Sequence, residues 1–256
     1  MFLAIDLGNS RAKVAIINNE DNNKFIFNDW VTSKPLDLED LALKLNSFLE
    51  ITKVKVAVVS SVVTENNQVL GMFLKNHFNI TVYFITPKML DGLILYNQNT
   101  VGQVGADILC KSVWIANKIK EDALIIDMGT ATVVQYVNKS GWLNAAAITL
   151  GLASMYKELY KQTSLLPLVD LQPVENLLGT DTISAIQGGV FWGYVGLINN
   201  LAEKACAETK CNNIFLTGGA AKFIKNNVNF TFTYNQYIIL ESIAIIYAHN
   251  LHRMNN

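Results

Sequence analysis

The chain has 256 residues, 51% of them hydrophobic and 16% charged, with a formal net charge of −1. It can bury one large core or two moderate ones, and it is too apolar to stay disordered. A near-neutral balance gives no basic footprint for nucleic acid and none for an anionic membrane surface. The first apolar stretch has no basic residues before it and contains Asp6, so it does not read as a signal peptide. The longest glycine-tolerant apolar run, GGVFWGYVGLI at 188–198, is too short to span a bilayer. Cys110, Cys206 and Cys211 form no C-x-x-C and are expected to be reduced thiols of a cytoplasmic protein. His249 and His252 have no carboxylate or cysteine beside them and make a poor metal site.

Taken in order, apolar and β-branched runs predict strands at 2–5, 12–17, 54–59 and 80–85. Helical spacing predicts helices over 37–49 and about 65–76. The polar stretch LILYNQNTVGQV, 93–104, reads as a loop and GADILCKSVWIANKIK, 105–120, as a helix with Asp107 in its first turn. The pattern then restarts, with strands at 123–128, 131–137 and 143–149 and a helix at 152–162. A proline-bearing loop at 165–181 leads to a long helix over 182–207, a strand at 213–217 and a last helix over 239–251. No glycine- or serine-rich linker separates the halves.

This is an α/β chain that repeats itself. The opening MFLAIDLGNSRAKVAI and the later ALIIDMGTATVVQYV each run from strand through D-x-G to a second strand, with Asp6 and Asp127 121 residues apart. Leu3, Ile5, Asp6 and Gly8 face Leu124, Ile126, Asp127 and Gly129, and the spacing supports a duplication. Glycine in such a turn lets backbone approach a ligand, and the amides and hydroxyls after it can donate to phosphate oxygens. The aspartate repels phosphate, so its sensible partner is a cation, held directly or through water. Thr217-Gly218-Gly219 suits a nucleoside pocket, because glycines admit a flat base or ribose.

These features resemble the acetate kinase, sugar kinase, heat-shock chaperone and actin superfamily. More narrowly, the chain resembles type III pantothenate kinase over nearly its full length. The marks are D-L-G-N-S at 6–10, Tyr96 ahead of G-A-D at 105–107, D-M-G-T-A-T at 127–132 and G-x-x-T at 179–182. The resemblance implies a duplicated ribonuclease H-like (actin-like ATPase) fold, two lobes around a nucleotide cleft, with lobes over 1–118 and 119–256. It implies ATP-dependent phosphorylation of pantothenate to 4'-phosphopantothenate, the first step of coenzyme A biosynthesis. Asp6, Leu7, Gly8, Asn9, Ser10, Arg11, Ala12, Lys13 and Thr130 would contact ATP, which brings Mg2+. Asp127 would hold a monovalent cation, K+ or NH4+, and Asp107 would be the general base. Tyr96, Gly105, Ala106, Asp107, Ile108 and Thr182 would contact pantothenate. Members of the family are homodimers with pantothenate pockets at or near the subunit interface.

The chain also departs from the pattern. Ile108 stands where the family has an arginine that would pair with the pantothenate carboxylate, and AAAITLG at 145–151 keeps only Ile148 and Gly151 of G-G-x-I-x-P-G. Lys111, three residues after Ile108, is either a substitute cation or a solvated surface lysine. Ile108 also admits a rival reading, a non-catalytic regulatory protein on the same fold.

Overall fold

The computed structural model describes residues 1–17, 26–31, 37–49, 54–95 and 104–254. Strands β1 (Phe2–Leu7) and β2 (Arg11–Ile17) form an antiparallel hairpin, and β3 (Ile26–Val31) continues the meander beside β2. Helix α1 (Leu38–Leu49) leads to β4 (Val56–Ser61), which runs parallel to β1. Helix α2 (Asn67–Phe78) then returns the chain to β5 (Thr81–Phe84), parallel to β4. Asn79 adopts a left-handed φ of 53° at the C-terminus of α2, a conformation asparagine tolerates. The sheet order is β3-β2-β1-β4-β5.

The second series repeats this order. Strands β6 (Ala123–Met128), β7 (Ala131–Val137) and β8 (Leu143–Leu150) form the meander, followed by α4 (Leu152–Gln162) and α5 (Thr182–Thr209). Then come β9 (Ile214–Thr217), the short α6 (Ala221–Ile224) and β10 (Thr233–Tyr234). The order β8-β7-β6-β9-β10 matches the first sheet strand for strand, and the parallel and antiparallel pairings match as well. The duplication seen in the two D-x-G turns is therefore a duplication of whole sheets.

Chain contacts define two units, Met1–Ile119 with Ile238–Asn256, and Lys120–Tyr237. A cut at 118/119 would give the last helix, α7 (Ile238–Met254), to the second unit; it packs with the first. The physical reason lies in β1, whose two faces are both buried. Leu3, Ile5 and Leu7 join Leu41 and Leu45 of α1 and Leu70 and Leu74 of α2 in one core. On the opposite face Phe2 stacks on Tyr247 of α7 with ring centroids 3.9 Å apart. Helix α3 (Ala106–Trp114), which continues as a π-helical turn over Ile115–Ile119, lies against α7. The Trp114 indole N–H donates to Glu241 Oε2 at 2.6 Å across that contact.

In the second unit, Leu124, Ile126 and Met128 of β6 meet Leu152 and Tyr156 of α4 and Phe191, Tyr194 and Ile198 of α5. Asp181 caps α5, accepting from the Ile183 and Ser184 amides while Ser184 returns a bond to the Asp181 amide. No helix among the described residues is long and apolar enough to cross a membrane.

Candidate active site

In the first unit the candidate residues sit where β1 ends and α3 begins. The Gly8 amide donates to Arg11 O at 2.9 Å, and a Cβ on Gly8 would stand 2.9 Å from that same oxygen. The close turn therefore needs glycine, and it leaves Asn9, Ser10 and Arg11 exposed. Lys13 lies opposite Asp6 in the register, Ala12 lies opposite Leu7, and both Leu7 and Ala12 are buried. Asp6 also faces Ser60 on β4.

Helix α3 starts at Gly105, whose backbone is extended, and Asp107 falls in its first turn. A Cβ on Gly105 would lie 2.5 Å from Asp107 Oδ1, so the carboxylate folds back over a bare Cα. The other oxygen, Oδ2, accepts from Lys111 Nζ at 3.2 Å. Asp107 keeps 27% of its side-chain exposure whereas Lys111 has none. Lys111 is thus no surface lysine. Its ammonium is buried and bonded to Asp107, which removes the simplest version of its role as a cation offered to a substrate carboxylate. Ala106 and Ile108 are half-buried.

The thiol of Cys110 feels the charges of this region. It is pushed up to about 12, by burial first; the Ser60 hydroxyl opposes that, Asp6 and Asp107 add to it, and Lys111 opposes. Asp6 and Asp107, 101 residues apart in sequence, thus both disfavour the charged form of one buried thiol. Tyr96 lies outside the described residues.

The second unit repeats the turn with one residue fewer. Met128 pairs with Thr132 where Leu7 pairs with Ala12, so three residues rather than four make the turn. The Gly129 amide donates to Ala131 O at 3.1 Å, the counterpart of the Gly8 bond. Thr130 is exposed, and its carbonyl accepts from the Gly151 amide at 3.0 Å and from Ser154 Oγ at 2.7 Å. A Cβ on Gly151 would lie 2.0 Å from Gly129 O, which explains why this glycine survives in a run that has lost its neighbours.

Asp127, half-buried at the end of β6, is enclosed by glycine. Gly218 has φ +90°, and a Cβ there would lie 2.5 Å from the Met128 backbone and 2.6 Å from Asp127 Oδ1. Gly219 has open space where a side chain would stand. The two glycines of T-G-G thus do different work: Gly218 admits the Asp127 carboxylate and Gly219 leaves room beside it. The T-G-G motif alone suggests room for a nucleoside; its place beside the Asp127 carboxylate comes from the pairing of Thr217 with Asp127 across β9 and β6.

Thr182 is exposed at the start of α5 and lines a mostly apolar cleft of about 440 Å³ with Leu159, Leu166, Ala185, Ile186 and Val190. Gly179, the first residue of G-x-x-T, packs on α5, where a Cβ would lie 2.2 Å from the Ala185 amide nitrogen. His249 Nε2 hydrogen-bonds Asp91 O at 3.0 Å, which gives it a structural partner.

Two sheets of one order, each with an Asp-x-Gly turn at the end of its first strand, define the actin-like ATPase and sugar-kinase class of duplicated ribonuclease H-like folds. A Sinorhizobium meliloti protein described as a 2-dehydro-3-deoxygalactonokinase shares the fold, with a TM-score of 0.60 at 10% identity, over 96% of this chain and 95% of its own. A Campylobacter jejuni protein described as a Baf family transcriptional activator shares it too, with a TM-score of 0.55 at 21% identity, over 98% of this chain and 100% of its own. Within that class the chain belongs to the type III pantothenate kinase family, whose model matches residues 2–204. The type III pantothenate kinase of Citrifermentans bemidjiense is 30% identical over 258 aligned residues, covering 98% of this chain and 100% of that protein.

Proposed function

We propose that the chain transfers the γ-phosphoryl group of ATP to the primary hydroxyl of pantothenate, giving ADP and 4'-phosphopantothenate, the first step of coenzyme A biosynthesis. The observation that carries the reading is Asp107, a family-motif carboxylate held in the first turn of α3 with one oxygen on Lys111 and the other over Gly105. Phosphoryl transfer needs alignment, neutralised phosphate charge and an acceptor for the hydroxyl proton. The attacking oxygen bonds to the γ-phosphorus, the bond to the β–γ bridging oxygen breaks, and Asp107 takes the proton.

Residues 6–13 and Thr130 would contact ATP through the two glycine turns. Gly105, Ala106, Ile108, Tyr96 and Thr182 would contact pantothenate, and the apolar cleft beside Thr182 suits its hydrocarbon portion. Asp127 fits a monovalent cation, K+ or NH4+, because it is a hard oxygen donor whose surroundings Gly218 keeps free of a Cβ. Such an ion, with the Mg2+ that accompanies ATP, supplies positive charge beside the phosphates.

A homodimer is supported by the family and by exposed small and apolar positions of the second unit. Ile148 of β8 is 66% exposed, and Gly193 and Gly196 of α5 have open space where side chains would stand. The metabolic family and three free cysteines support a cytoplasmic location. The test is ATP-dependent conversion of pantothenate to a product 80 Da heavier, about the mass of one added phosphoryl group. No mass shift with saturating ATP, Mg2+ and potassium would end the reading.

A further inference from the structure

We propose that Lys111 is the positioning residue of the catalytic carboxylate, holding Asp107 in the orientation that accepts the substrate proton. The proposal rests on the reading of Asp107 as the general base. Lysine is almost never fully buried unless it is paired, because an ammonium taken out of water must be compensated. Lys111 has no exposed side-chain surface, and its Nζ lies 3.2 Å from Asp107 Oδ2, one helical turn away. The bare Cα of Gly105 leaves room for the other carboxylate oxygen, since Asp107 Oδ1 occupies the space that any Cβ there would claim. One oxygen is therefore held by Lys111, and Gly105 makes the space in which the other can lie.

The anchor itself is rigid. Leu109, Cys110, Ser112, Val113 and Trp114 are all buried, and α3 packs on both α7 and β4. A base on such a support stays within hydrogen-bond reach of one point in space. An unanchored carboxylate samples other rotamers, and small misplacements of a reacting group cost large factors in rate. Lys111 touches no reacting atom in this account and acts only through Asp107.

That restriction makes the proposal testable by a double-mutant cycle on turnover. Wild type, Lys111→Met, Asp107→Asn and the double variant are compared for kcat and for both KM values. Lys111→Met is expected to lower kcat by roughly 10- to 100-fold with the ATP KM changed by less than about twofold. Added to Asp107→Asn, the same change is expected to cost less than about twofold, because the residue it served is already gone. Full additivity, or a Lys111→Met kcat within twofold of wild type, overturns the positioning role. If Asp107→Asn alone keeps more than half the turnover, the base assignment itself has failed, a different and recognisable result. Should Lys111→Met not fold, Lys111→Gln replaces it in the cycle. Nitrogen-15 lysine spectra of the wild type add a second readout, in which the buried ammonium resonance should move in Asp107→Asn; an unmoved resonance also overturns the proposal.

Discussion

Lys111 Nζ lies 3.2 Å from Asp107 Oδ2, yet the two ends of this ion pair differ in their access to water: Asp107 is 27% exposed and Lys111 is fully buried. Removing either partner should therefore have unequal effects on stability. In Asp107→Asn the amide oxygen can still accept a hydrogen bond, but a buried ammonium loses the Asp107 charge, at a cost of about 3 kcal/mol. In Lys111→Met the remaining carboxylate can hydrate and a thioether chain fills the space, so the change should stay within about 1 kcal/mol. Thermal unfolding measures this as a Tm drop of roughly 6–12 °C for Asp107→Asn and of a few degrees at most for Lys111→Met. The reverse order would mean that Lys111 is not held as described.

Ile108 leaves pantothenate recognition without the family's guanidinium, and Lys111 is already engaged. A guanidinium–carboxylate pair contributes roughly 1.5–3 kcal/mol. Ile108→Arg is thus expected to lower the pantothenate KM by about 10-fold or more with the ATP KM unchanged. An unchanged pantothenate KM would place carboxylate recognition elsewhere.

Much of this was legible in the sequence, and what was not has specific causes. Both Asp-x-Gly turns and the helix bearing Asp107 were visible because strand ends and helix starts carry local chemistry. Strand β3 was not, because Asn28 and Asp29 interrupt its apolar pattern; only its counterpart β8 implied that a third strand was needed. Lys111 stands at i to i+3 from position 108, but the contact it makes is at i to i+4 from Asp107, and both spacings share a helix face. The helix Ile238–Met254 is largely apolar, which says that it is buried but not which sheet it covers. Phe2 stacking on Tyr247 is a contact between the two ends of the chain, and no local pattern encodes it.

The neighbouring glycines Gly188 and Gly189 should respond oppositely to alanine. A Cβ at Gly188 would lie 2.2 Å from Leu177 O, whereas one at Gly189 meets nothing within 4 Å. Gly188→Ala should cost roughly 1–3 kcal/mol as α5 and the 176–179 segment are forced apart. Gly189→Ala should stabilise by about 0.5–1 kcal/mol, the ordinary helical preference of alanine over glycine. Urea denaturation separates the two, and equal effects would contradict the packing of that segment on α5.

Tyr194 predicts an alkaline limit to stability. Its hydroxyl shares a 2.6 Å hydrogen bond with Thr132, which also donates to Leu150 O at 3.3 Å. The phenol is pushed up from 10.0 to about 12, by burial first, opposed by the Thr132 bond and raised further by the Asp127 charge. A raised value means that the folded state holds the proton more tightly, so this contribution is complete below pH 10 and lost as pH rises towards 12. The loss amounts to about 2–3 kcal/mol across that window. Tyr194→Phe should cost about 1 kcal/mol at pH 8 through the missing hydrogen bond, then gain on wild type until the curves cross near pH 11. Parallel stability curves up to pH 12 would show that Tyr194 is not held as the neutral phenol.

The central claim is that this chain phosphorylates pantothenate with ATP, using Asp107 for the proton and a cation at Asp127 for the charge. The most direct measurement is ADP release from ATP and Mg2+, with and without pantothenate, in Tris buffer alone and in the same buffer containing potassium. The account predicts ADP release that requires pantothenate, is strongly raised by potassium, and falls roughly 10²- to 10⁴-fold in Asp107→Asn. Equal rates with and without potassium would remove the cation from the mechanism. Pantothenate-independent ADP release, or none under any of these conditions, would contradict the assignment of this chain as a pantothenate kinase.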